Sequence, residues 1–142
     1  MSLIIDPVLT GAYPRLIGEG TSNNHYFPAI YLHSANSYRV GLYGHRIDLP
    51  YPGQNIPTPG EKTIITVTYS GGISKLYVNG NFAGELATSS LPVSSIEAYL
   101  GANAGTARYY KGKIYNFLMY DRALTEEEIE HNVMVDRFRF GT

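Results

Sequence analysis

Residues 64–85 read IITVTYSGGISKLYVNGNFAGE, and this stretch decides the fold. The β-branched and aromatic composition of 64–69 suits a pleated, half-buried surface better than a helix. Ser70-Gly71-Gly72 interrupts it, and 75–78 resumes with Leu76 and Val78 on one face and Lys75 and Tyr77 on the other, the period of a strand. Asn79-Gly80 follows at once. This dipeptide accepts positive φ at both central positions of a type I′ turn, so 81–85 is expected to return beside 75–78. The segment predicts three antiparallel strands joined by two tight turns.

Toward the N-terminus the same pattern continues in shorter pieces. Leu3, Ile4 and Ile5 predict one strand that Pro7 ends, and 13–17 is a second candidate, closed by Gly18-Glu19-Gly20. In 26–33, Ile30 and Leu32 share a face opposite Phe27, Ala29, Tyr31 and His33. In 38–45, Tyr38, Val40 and Leu42 point to a core, leaving Arg39, Gly41, Tyr43 and His45 opposite. A hairpin across 34–37 would gather Tyr31, His33, Arg39, Tyr43 and His45 on one side of a sheet. A short strand is expected at 47–49, and the Pro- and Gly-rich run 50–60 reads as irregular loop.

Toward the C-terminus, 87–95 is a Ser-rich connection, 96–100 a strand and 101–107 a run of small residues. In 113–120, Ile114, Asn116, Leu118 and Tyr120 alternate with Tyr115, Phe117 and Met119; apolar groups on both faces predict a central strand. Thr125 with Glu128 three residues on is a capping box, and Glu126 and Glu127 favour the positive end of the helix dipole. The helix is expected to reach about Asn132, after which Val135, Phe138 and Phe140 suggest a returning strand. The predicted architecture is all-β, a two-sheet antiparallel jelly-roll sandwich with a short helix near the C-terminus.

The chain has 142 residues, which suits a single domain spanning 1–142 that buries a core without metal or disulfides, and it has no cysteine. Eleven basic and twelve acidic side chains leave a formal charge of −1, so neither nucleic acid nor an anionic membrane is an expected partner. Thirteen of the aromatics are Tyr and none is Trp. Tyrosine carries an apolar ring with a polar tip, which suits sugar platforms and subunit interfaces. The first eleven residues lack the basic start and the long apolar run of a signal peptide, and no apolar run is long enough to cross a membrane as a helix.

Two blocks of the second half carry a resemblance. A strand ending in Tyr69, a Gly-rich turn and Leu76-Tyr77-Val78-Asn79-Gly80 resemble the laminin G-like, concanavalin A-like lectin/glucanase superfamily. The closing block, Tyr99-Leu100-Gly101 and then 110–125 with Tyr120-Asp121-Arg122-Ala123-Leu124, is similar to that family's final strand and Glu-rich helix. The resemblance implies the same sandwich. It also implies more chain ahead of residue 26 than is present, so either an edge of the sandwich is reduced or a neighbouring subunit or an upstream domain supplies a strand.

Retaining glucanases of this fold need two carboxylates about 5 to 5.5 Å apart. On a strand such a pair would read Glu-x-Asp or Glu-x-x-x-Glu, and no alternating segment here contains one. The dense run Glu126 to Glu130 sits on the capped helix and reads as a solvated face. No Gly-x-Ser-x-Gly elbow places a nucleophile, and His25, His33, His45 and His131 lack a paired zinc-ligand spacing. The chain is therefore not expected to be an enzyme. Many relatives implied by the resemblance bind calcium through loop carboxylates, but Asp6, Asp48, Asp121 and Asp136 are scattered, so no calcium ligand is assigned and no cofactor is expected, calcium being the one alternative the resemblance leaves open.

Sugar recognition pairs aromatic rings with planar hydrogen-bonders such as Asn and Arg. The strand cluster Tyr31, His33, Arg39, Tyr43 and His45 has this composition, as do the loop residues Asn103, Arg108, Tyr109 and Tyr110. The bland alternative for both is a covered sheet face or a subunit interface. Two functions follow. One is a non-catalytic carbohydrate-binding or adhesion module of a larger surface, secreted or phage virion protein, with a glycan or cell-surface polysaccharide as partner. The other is a structural module of a phage tail or capsid whose Tyr-rich face makes homo-oligomer contacts.

Overall fold

The computed structural model describes residues 1–6, 15–19, 29–34, 37–42, 45–48, 60–87, 98–102 and 108–141. The stretch that opened the sequence reading forms β6 (Thr63–Ser70), β7 (Ile73–Val78) and β8 (Asn81–Ala87), paired antiparallel in that order. Both turns take the backbone they need: Asn79 and Gly80 have φ of 53° and 87°, and Gly71 and Gly72 have 56° and 78°. Positive φ at both central positions gives each turn the twist of its strands. Asn79 also exchanges two bonds with β6, its backbone N–H donating to the Ile64 carbonyl and its side-chain oxygen accepting from the Ile64 N–H, each at 2.8 Å.

Two five-stranded sheets are built around this meander. In the first, β10 (Lys113–Leu118) and β1 (Ser2–Asp6) extend it in the order β10-β1-β6-β7-β8. The second contains β2 (Arg15–Glu19), β3 (Ala29–Ser34), β4 (Ser37–Leu42), β5 (His45–Asp48) and β9 (Ala98–Leu100), in the order β5-β4-β3-β2-β9. Every pairing is antiparallel. Leu3 and Ile5 of β1, Ile65 and Val67 of β6, Leu76 and Ala83 from the first sheet meet Leu16, Ile17 and Ile30 from the second in one buried cluster. Leu16 and Ile17 are neighbours yet both are buried, because the register slips between Arg15 and Ile17. A bulge there sets two consecutive residues opposite Ile30 and turns both inward.

A helix, α1 (Glu126–Phe140), closes the other face of the first sheet. Val133 packs on Ile4 and Ile64 with Tyr115 and Phe140 beside them, and Ile129 packs on Tyr77 with Leu124 and Tyr120. The capping box is formed as predicted: the Glu128 N–H donates to the Thr125 hydroxyl and the Thr125 N–H to the Glu128 carboxylate. At the far end Gly141 is left-handed and donates to the Arg137 carbonyl, and the Lys62 ammonium donates to the carbonyl of Phe140. These partners serve the last carbonyls of the helix.

Three expectations are corrected. Residues 134–140 continue α1 instead of forming a strand: Ile129, Val133 and Asp136 are buried at helical spacing, and Phe138, 92% exposed, faces outward. β10 is an edge of the first sheet, not a centre. Its apolar groups are covered on both sides because α1 lies on one of them, and a bulge between Ile4 and Ile5 breaks the expected alternation. Ile114 and Phe117 thus pack on the sandwich core, while Tyr115 packs beneath the helix. Finally, 38–45 is two strands, β4 ending at Leu42 and β5 starting at His45.

Candidate functional site

Because α1 occupies the outer face of the first sheet, the second sheet supplies the broad face of the sandwich on which no described element packs. Ile30 is fully buried, and its cross-strand partners Val40 and then Ile47 mark the inward positions of β3, β4 and β5. The alternate positions belong to the outer face. There the register aligns Arg15 of β2, Tyr31 of β3, Arg39 of β4 and Asp48 of β5 in one row across four strands. The next row on this face holds Ala29, Gly41 and Arg46, with Gly18 opposite Tyr99 beyond them. Two basic positions and an acidic one surround a tyrosine, beside the small residues Ala29 and Gly41.

Of the strand cluster expected from the sequence, the register brings Tyr31 and Arg39 together as direct partners. His33 falls in a register shift between Leu32 and Ser34. His45 stands opposite Leu42, on the inward side with Val40 and Ile47, because the chain reverses between β4 and β5. It therefore does not share a face with Arg39. Tyr43 lies outside the described residues, as does Asn103. Arg15 and Arg46 are not singled out by the sequence, and Asp48 enters there only as a scattered carboxylate. Their signal was the charged residue at the alternate position of each short apolar strand, legible only once the strands are paired.

The loop set lies at the end of this row. The Gly101 N–H, just past β9, donates to the Leu16 carbonyl at 2.9 Å, and the Tyr110 N–H donates to the Gly101 carbonyl at 2.9 Å. Arg108 and Tyr109 thus directly precede a residue bonded to Gly101, which is itself bonded to Leu16, the neighbour of Arg15. Tyr109 is 56% exposed, and Arg108 is exposed with a left-handed φ of 69°. Tyr110 differs: its hydroxyl donates to the Asp6 carbonyl and its ring packs on the sandwich core, so its polar tip ties β1 to the approach to β10.

A second concavity, of about 330 Å³, lies between the segment before α1 and the helix, lined among others by Tyr120, Arg122, Glu127, Glu128, His131 and Asn132. Its polar groups largely satisfy one another. Arg122 grips Glu128 with two bonds of 2.6 and 2.7 Å, and Asn132 donates to the Tyr120 hydroxyl at 3.0 Å. The Arg122 guanidinium and the Thr125 N–H hold the Glu128 carboxyl down at about 2. Tyr77 lies nearby, its hydroxyl donating to Glu126 at 3.3 Å and pushed upward in pKa by burial and by that carboxylate. These groups build the helix start. Among the described residues no three His, Cys, Asp or Glu are grouped to hold a metal ion.

A sequence profile described as the concanavalin A-like lectin/glucanases superfamily matches residues 7–130. No curated protein matches the chain in sequence. Among solved structures, the CBM40 of the Ruminococcus gnavus IT-sialidase bound to α2,3 sialyllactose is similar at a TM-score of 0.70 and 15% identity, over 93% of this chain and 80% of that one. The native heptameric SAP-like pentraxin of Limulus polyphemus is similar at 0.64 and 17%, over 91% and 66%. The Trypanosoma rangeli sialidase in complex with 2,3-difluorosialic acid is similar at 0.67 and 17%, over 95% of this chain and 22% of that one. At these identities the likeness is one of fold, and it agrees with the two-sheet sandwich described above.

Proposed function

Because the chain belongs to the concanavalin A-like lectin/glucanases superfamily, we propose that it is a non-catalytic carbohydrate-binding or adhesion module, one part of a larger surface, secreted or phage virion protein. The observation that carries this reading is the cross-strand row Arg15, Tyr31, Arg39 and Asp48 on the face of the second sheet turned away from the core. An aromatic position flanked by planar hydrogen-bonding residues is what a shallow sugar site needs: a platform for the apolar ring face and forks for the hydroxyls. The carbohydrate-binding module among the similar structures, bound to sialyllactose, supports it. Arg108 and Tyr109 form the rim of the same site.

The test is a glycan screen on the purified chain, displayed multivalently so that weak single sites register. Binding that is lost in both Tyr31→Ala and Arg39→Ala, with melting temperatures unchanged, is the expected result. Binding that survives both moves the site to Arg108 and Tyr109. Absence of binding to every glycan favours the second reading, a structural module that self-associates, which has its own observation: Met134 and Phe138, one turn apart on α1, are 63% and 92% exposed.

A further inference from the structure

We propose that the outer face of the second sheet selects sugars that carry a carboxylate, an inference that rests on the carbohydrate-binding reading and narrows it. The chain as a whole has a formal charge of −1, yet the two rows that define this face hold Arg15, Arg39 and Arg46 against the single acid Asp48. Positive charge is thus concentrated where the ligand would lie. Arg15 and Arg39 occupy the strands on either side of Tyr31 in direct register. Neighbouring strands run about 4.8 Å apart, so the two arginine positions bracket the tyrosine within a span of about 10 Å. A sugar ring centred on the tyrosine position has an arginine position on each side.

The pairing also separates the two arginines by role. Arg39 stands opposite Asp48 in register, so opposite charges occupy paired positions. Arg15 stands opposite Tyr31, with no acid opposite it in that pair. Arginine's planar fork matches a carboxylate bidentately and is more weakly hydrated than lysine, which makes it the side chain suited to this anion. Hydroxyls alone do not call for two guanidinium positions in a row. Gly18, Ala29 and Gly41 hold the middle of the adjacent row, between the Arg46 position at one end and the Tyr99 position at the other, which gives a ring substituent room against the backbone there.

The experiment compares multivalent 3′-sialyllactose, oligogalacturonate and lactose conjugates on the immobilised chain, at low and at high salt. The expected result is binding of at least one carboxylated probe about tenfold tighter than lactose, weakening as salt rises and lost in both Arg15→Gln and Arg39→Gln. Arg39→Lys, which keeps the charge without the fork, is expected to fall between, and Arg137→Gln on the last turn of α1 to bind as the parent does. Whichever carboxylated probe binds identifies the source as a sialate or a uronate. Equal binding of lactose and both acids, unmoved by salt and by the Arg→Gln changes, overturns the carboxylate inference and leaves the carbohydrate-binding reading standing. No binding of any of the three, while the wider glycan screen finds a neutral ligand, overturns the carboxylate inference alone; no binding in either experiment overturns both.

Discussion

The hydroxyl of Tyr110 donates to the carbonyl of Asp6, 104 residues away in sequence, and Gly112 sits against both groups. A Cβ at Gly112 would fall 2.7 Å from the Asp6 carbonyl oxygen and closer still to the Tyr110 hydroxyl. The glycine is there for close approach, since backbone oxygen at that distance cannot yield as a flexible side chain can. Gly112→Ala is therefore expected to cost about 1–3 kcal/mol, the range of an overpacked contact. Tyr110→Phe, which removes only the hydrogen bond, should cost about 1 kcal/mol. Since both changes break one contact, the double variant should cost less than the sum, and urea melts of the three proteins measure it. Strict additivity would mean that the tyrosine and the glycine act separately.

At the scale of the element, α1 carries two ionisable groups with opposite pH slopes. Glu128 lies near 2 because Arg122 and the Thr125 N–H bond its charged form. A depressed carboxyl contributes stability that is present above its ordinary value of 4.5 and lost as pH falls toward 2. Asp136 is buried beneath the helix with only a 3.4 Å bond from Asn116, and burial raises its pKa from 3.8. A raised carboxyl acts the other way: the folded state is favoured below 3.8 and loses that advantage as pH rises through the higher folded value. Thr125→Ala should lower stability by about 1 kcal/mol at neutral pH, whereas Arg122→Gln, which removes the main partner of the Glu128 carboxylate, should flatten the acid limb. Asp136→Asn should flatten the decline on the upper limb, and melting temperature against pH reads both. The helix start was legible because the box is local, four residues that bond one another. Its end was not, because Val135, Phe138 and Phe140 fit a short strand as well as a helix, and it is the burial of Val133 and Asp136 with the exposure of Phe138 that separates the two. The row Arg15, Tyr31, Arg39 and Asp48 was half legible for a similar reason. Alternation finds outward positions within a strand, but which strands pair, and the bulge at Leu16 and Ile17, are not local properties.

Over the whole molecule, β6 is the strand on which both packed layers depend. Ile65 and Val67 enter the cluster between the sheets, whereas Ile64 packs beneath Val133 of α1, and all three are at most 4% exposed. A strand with both faces buried couples its two sides, because tilting or slipping it to relax one cluster disturbs the other. Ile64→Ala and Ile65→Ala are each expected to cost about 2–5 kcal/mol, since each empties a filled site. The layers should nevertheless unfold as one in either variant. Hydrogen exchange at the amides of α1 and at those of β6 and β7 follows the two layers separately, and the two sets should lose protection together. The pairing of the Asn79 turn with Ile64 adds to this coupling, since the hairpin tip, β6 and the underside of α1 meet at one point; a Cβ at Gly80 would lie 3.4 Å from Val133. Early loss of protection in α1 of Ile64→Ala, with β6 and β7 still protected, would mean that α1 detaches as a unit of its own and that the sandwich does not need it.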